Sequence, residues 1–219
     1  FVREEFARAK RPCVLIGSGV IAGGATKEID AFMNNINVPV VGGAHVADVY
    51  YNEHPLFFGL SGNIGPRAGN YILQNADLIL TVGSSLGFKQ TGYTQEKFAP
   101  NAKIIMVDVD ENESKKPGLH VDHVVKSSVK QFLSAMSESD EKLEAPSAWI
   151  IAVWYTILSM HLKVQQVRMT MNACAHIDFG KNSMMFSLPI LLCAWAITLH
   201  ALQSFRLEKG KGTSVISLT

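Results

Sequence analysis

The feature that most constrains this chain is a series of short apolar runs with no polar alternation, most of them closed by glycine or acid and interspersed with helix-like stretches. "PCVLIGSGV" (12–20), "VPVVGG" (38–43), "DLILTVG" (77–83), "KIIMVDVD" (103–110) and the weaker "VDHVV" (121–125) read as strands buried on both faces. "TKEIDAFMNN" (26–35), "PRAGNYILQNA" (66–76) and "SVKQFLSAM" (128–136) have helical periodicity between or after them. In 66–76, Pro66 suits the first turn, and Ala68, Tyr71, Ile72 and Asn75 share the expected inner face. Buried strands separated by helices predict an α/β fold, a doubly wound parallel sheet with a Rossmann-like plan over residues 1–137.

Residues 138–147, dense in charge and containing Pro146, read as a linker, and the character of the chain changes after them. Two weakly charged runs, 145–162 and 182–205, have the length of a bilayer crossing. Pro189, Ser187, Thr198 and His200 interrupt the second, and basic residues flank it on both sides, leaving orientation undefined. A membrane tether is therefore the third of three readings. Residues 148–219 are expected to form an irregular tail, largely helical or poorly packed.

At 47% hydrophobic and 18% charged, the chain can bury an ordinary core, and its net charge of +1 points neither to nucleic acid nor to a strongly acidic substrate. Cys13, Cys174 and Cys193 lack metal or disulfide spacing and suit buried thiols in a reducing compartment, the cytoplasm or, in a eukaryote, an organelle lumen. His45, His54 and His120 are isolated and read as surface or structural groups, so no metal site is expected. Met169, Met171, Met184 and Met185 read as gap-filling apolar residues. "FVREEFARAKRP" is a charged, helix-like lead rather than a signal peptide, and the chain is expected to be a piece of a longer one.

Ligands of open parallel sheets sit at the carboxyl ends of the strands. Gly17, Ser18 and Gly19, then Gly83, Ser84 and Ser85, then Asp108 and Asp110 fall at such ends. Glycine permits backbone to approach a diphosphate, and a strand-end carboxylate can accept ribose hydroxyls. The bland alternative is equally physical: the glycines make turns and the acids cap helices. The dinucleotide fingerprint is incomplete, since "GSGVIA" lacks its third glycine and no acid follows about 20 residues on. Arg67 and Asn70, near a helix start, could bind phosphate or ribose, but Asn70 could equally pair with backbone.

"RPCVLIGSGV", "HPLFFGLSGNIGPRAGNYILQNADLILTVGSSL", "QTGYTQEKFAPNAKIIMVDVDENESKKP" and "VDHVVKSSVKQFL" resemble, in order and spacing, the central domain of thiamine-diphosphate-dependent enzymes of the acetolactate synthase group. The resemblance covers roughly residues 10–135. It implies a parent that joins or decarboxylates 2-oxo acids with thiamine diphosphate and Mg2+, works as a dimer or tetramer, and holds its activating glutamate upstream and a Gly-Asp-Gly motif downstream. No Gly-Asp-Gly occurs here, so no catalytic residue is assigned to this chain. The resemblance also implies FAD at the central domain, with Gly17–Gly19, the segment around Gly59–Gly62, the loop after Gly83 and Asp108–Asn112 as its contacts. "GSSLGFKQTG" departs from the flavin-binding pattern: Ser85 and Lys89 stand where arginines are expected, Gly87 and Phe88 where acids are. A module that binds nucleotide, or only packs, without catalysis is the second reading. "LHALQSFRLEKGKG" (199–212) resembles the start of the third domain, and the poor match between 149 and 199 fits either divergence or a displaced reading frame.

Overall fold

A computed structural model of the chain describes residues 1–46, 54–138, 142–175, 206–210 and 213–217. Its residues fall into two compact units, Phe1–Ile157 and Leu158–Thr219.

The first unit is built on a six-stranded, wholly parallel sheet. Its strands are β1 (Pro12–Ile16), β3 (Val40–Gly42), β4 (Phe57–Leu60), β5 (Leu78–Val82), β6 (Lys103–Asp108) and β7 (His123–Lys126), in the order β4-β3-β1-β5-β6-β7. The chain builds outward from β1 to β4, then returns to the other side of β1 and builds outward again. That reversal is the doubly wound plan. The unbroken apolar runs became the strands buried along their whole length: every residue of β1 and β5 is buried, as is the Ile104–Val107 stretch of β6.

Helices follow from the same reversal, because a right-handed crossover changes face when the direction along the sheet changes. α3 (Thr26–Asn34) carries the chain toward β3 and packs against α6 (Val129–Ser137), burying Ile29, Phe32 and Met33 against Val129, Phe132 and Leu133. Ser128 caps α6 by accepting the Gln131 N–H at 3.2 Å. α4 (Arg67–Asn75) carries the chain back and packs on β3 and β4. Its inner stripe is Gly69, Ile72 and Leu73, not the expected Ala68, Tyr71, Ile72 and Asn75. Gly69 is the reason: a Cβ there would lie 2.4 Å from the Leu60 carbonyl oxygen, so the helix seats a bare backbone against the end of β4.

The lead forms α1 (Val2–Arg8), anchored by Phe6 in the core and by Arg3, which donates to the Met136 carbonyl at 2.7 Å. The expected linker contributes structure of its own. Leu143–Glu144 (β8) pairs in parallel with Ile36–Asn37 (β2), and Leu143 and Ala145 are buried. α7 (Ser147–Ala175) then begins on this unit, with Trp149 and Val153 buried and Phe58 and Trp154 edge to face at 5.1 Å.

In the second unit, Arg206–Gly210 (β9) and Thr213–Ser217 (β10) form an antiparallel pair. No helix among the described residues is long and apolar enough to cross a membrane. The run 182–205, most of the stretch 199–212, Met184, Met185 and Cys193 lie wholly or largely outside the described residues.

Candidate functional site

β1 and β5 are neighbours, so their carboxyl ends meet where the strand order reverses. Gly17 donates its N–H to the Val82 carbonyl at 2.8 Å, and Gly19 donates to the Gly83 carbonyl at 2.8 Å. The two turns touch backbone to backbone. A Cβ on Gly17 would fall 2.1 Å from the Gly83 oxygen, and one on Gly19 would fall 2.7 Å from the Gly83 Cα. Gly83 has φ +62°, in the left-handed region that glycine reaches without strain. The three glycines singled out at strand ends therefore come together, and what demands glycine at each is the opposing loop.

Beside this joint lies a cleft of about 300 Å³, lined by Ser18, Gly43, His45, Ser84, Leu86 and Gln90 among others. Ser84 is buried and Ser18 exposed. The N–H groups of Ser18, Ser84, Ser85 and Leu86 donate to no acceptor among the described residues. Leu86 is fully buried at φ +48°, an unusual conformation for a residue with a branched side chain. Its burial holds the turn that carries these N–H groups. Gln90 closes one wall. Its amide Nε2 donates to the Ser61 hydroxyl at 2.5 Å, and that hydroxyl donates to the Gly42 carbonyl at 3.0 Å. Because the Ser61 proton is committed to Gly42, Gln90 must be the donor, which fixes its amide orientation. At the rim, Phe88 and Tyr93 stack at 5.6 Å and are both exposed.

The remaining sequence candidates lie elsewhere. Gly62, at φ +91°, donates its N–H to Asn70 Oδ1 at 2.9 Å and accepts from Asn70 Nδ2 at 3.0 Å. Asn70 is thus a backbone clamp on the loop after β4, the structural alternative left open for it. That loop abuts α5 (Phe88–Thr91), since Asn63 donates to the Lys89 carbonyl at 2.9 Å. Arg67 is exposed, its side chain makes no hydrogen bond or ion pair with described residues, and it does not line the cleft. Asp108 ends β6 and Asp110 follows it, both outside the cleft lining. Asp108 accepts the Asp110 N–H at 3.0 Å, and Asp110 accepts the Asn112 N–H and side-chain amide, each at 2.9 Å. Asp110 thus caps the 3-10 turn Glu111–Lys115, and Asp108 holds the N–H of that cap residue. Lys116 reaches from that turn to the Ser85 carbonyl, steadying the cleft loop from outside.

His54 accepts the Leu56 N–H at 3.2 Å, and His120 lies 3.1 Å from Asp122, so both have local structural partners. Among the described residues no three His, Cys, Asp or Glu side chains gather as a metal site would require. The sequence pointed to the segments Gly59–Gly62 and the loop after Gly83 without singling out Ser61, Leu86 or Gln90 within them. Only Gln90 carried a signal, as a polar residue between glycines at a strand end.

A family described as thiamine pyrophosphate enzyme, central domain, matches residues 2–136. A probable acetolactate synthase large subunit of Methanococcus aeolicus is 32% identical over 155 residues, covering 66% of this chain and 26% of that protein. The acetolactate synthase isozyme 1 large subunit of Escherichia coli K12 is 38% identical over 105 residues, 48% of this chain and 18% of its own. The large subunit of Cyanidium caldarium is 29% identical over 153 residues, 68% of this chain and 26% of its own. The chain thus spans between 18% and 26% of the length of these relatives.

Proposed function

Because the chain belongs to the family of thiamine pyrophosphate enzyme central domains, we propose that it supplies the non-catalytic central domain of an acetolactate synthase-like carboligase or decarboxylase acting on 2-oxo acids. The observation that carries this reading is the family match over residues 2–136, on a unit built around a six-stranded parallel sheet. Thiamine diphosphate would supply the nucleophilic carbon that attacks the 2-oxo group and the electron sink for its decarboxylation. The ligands of its Mg2+ and its activating carboxylate would come from polypeptide beyond these residues.

The work of this chain is then mechanical. The Gly17–Gly83 joint, the Asn70 clamp on Gly62 and the Ser61–Gln90 bond brace the loops after β1, β4 and β5 at one edge of the sheet. A braced edge gives neighbouring domains a fixed surface, and in a homo-oligomer it would help hold the thiamine-binding parts of two subunits in register. The test is to read the encoding DNA on both sides of these codons in all frames, express the longest product, and measure CO2 release from pyruvate with thiamine diphosphate and Mg2+. Release that stops when the metal is chelated supports the proposal. Absence of turnover with pyruvate and other 2-oxo acids in a folded, cofactor-loaded product would overturn it.

A further inference from the structure

We propose that the cleft between β1 and β5 excludes flavin adenine dinucleotide, and that the glycines beside it serve as a backbone lock between the two halves of the sheet.

Space argues first. A diphosphate at such a crevice lies against bare glycine backbone. Here the bare faces of Gly17 and Gly19 are already covered, by Gly83 atoms standing 2.1 and 2.7 Å from where a Cβ would be. The remaining cleft, about 300 Å³, sits at the bottom of the roughly 300–1,000 Å³ range that encloses a single drug-sized ligand. A flavin dinucleotide brings two ring systems, a ribose, a ribityl chain and a diphosphate.

Charge argues the same way. Among the described residues lining the cleft, Lys89 is the one permanent cation, and it is exposed. No guanidinium is present to take a diphosphate in paired hydrogen bonds. The carboxylates that would face a ribose, Asp108 and Asp110, are not among the residues lining the cleft, and each turns its Oδ1 to N–H groups of its own loop. Gln90 has its Nε2 tied to Ser61, and Leu86 is packed at φ +48°, so neither can swing aside without breaking a buried contact.

This inference stands on the cleft and not on the proposed reaction, so the two can fail separately. The experiment titrates the whole 219-residue chain with FAD, following flavin fluorescence and equilibrium dialysis, and records thermal unfolding with and without the flavin. No saturable uptake up to about 100 µM and an unmoved unfolding midpoint are expected. Uptake approaching one flavin per chain, or a midpoint that climbs with flavin concentration, overturns the proposal. Gly19→Ala is melted alongside: a lowered midpoint shows that the lock is formed in the same preparation, and an unchanged one overturns the lock.

Discussion

The indole Nε1 of Trp149 donates to the carbonyl of Pro12 at 3.1 Å, joining the first turn of α7 to the first residue of the central strand β1. Trp149 is also almost wholly buried. The segment after the charged stretch is therefore held by the first unit through both a hydrogen bond and apolar area. Trp149→Ala should destabilise the chain by about 3–5 kcal/mol, and Trp149→Phe, which keeps most of the area but leaves the Pro12 oxygen unpaired, by about 1 kcal/mol more than a neutral change. Urea unfolding of both variants measures the difference.

Gly83→Ala places a methyl group at φ +62° and 2.9 Å from Gly19 Cα. Left-handed strain alone is about 1–2 kcal/mol, and the clash adds to it. At about 2–4 °C per kcal/mol for a chain of this size, the unfolding midpoint should fall by at least about 4 °C. Gly87→Ala, with open space around it, should leave the midpoint within about 2 °C.

Asn70→Ala removes both partners of Gly62 at once, exposing an N–H and a carbonyl in a half-buried loop. A loss of about 1–2 kcal/mol is expected. Asn70→Asp keeps the acceptor and loses the donor, so it should fall between the two. Hydrogen exchange at the Gly62 amide reports the same event locally, and an exchange rate unchanged in Asn70→Ala would refute the clamp.

Burial raises the Cys13 thiol far above its ordinary value of about 8.5, with the Asp77 carboxylate adding to the shift. Above that ordinary value the unfolded chain gives up this proton and the folded chain keeps it, so stability falls as pH rises through 9 and 10. Cys13→Ala should flatten that part of the pH–stability curve. Alkylation at pH 9 followed by peptide mapping should find Cys13 unmodified in the native chain and modified in urea.

Much of the sheet could be read from the sequence because strands covered on both faces tolerate no polar alternation, and the buried stretches of β1, β5 and β6 obey that, with Thr81 of β5 the one polar side chain among them. β4 could not. Its run is broken by Gly59, which adopts φ +84°, and only Phe58 is buried, so its pairing with β3 depends on tertiary context. β2 and β8 contribute two residues each, too few for any period to register. The inner face of α4 was misjudged for a related reason: hydrophobicity points to side chains, and Gly69 is buried for having none.

At the site, glycines at strand ends were visible, but the identity of what each approaches is a property of two loops far apart in sequence. Gln90 and Ser61 are 29 residues apart, and nothing local marks them as partners. Leu86 at positive φ is invisible to propensity, since leucine is among the residues least expected there. The acids after β6 were legible as two alternatives, and the hydrogen bonds of Asp110 follow the capping one.

The position of β1 in the middle of the sheet has a consequence on the ribosome. β1, β3 and β4 are translated first and can assemble as a half-sheet, but the second neighbour of β1 is β5, whose pairing joins Ile16 to Val82. At about 5–20 residues per second, roughly 3–13 s separate the two during synthesis. Through that interval the nascent domain presents its future centre as an open border, with the N–H and carbonyl groups of Cys13–Ile16 unpaired along one side. A strand in that state can recruit a stranger. The arrival of Leu78–Val82 ends the exposure and turns the border into the interior.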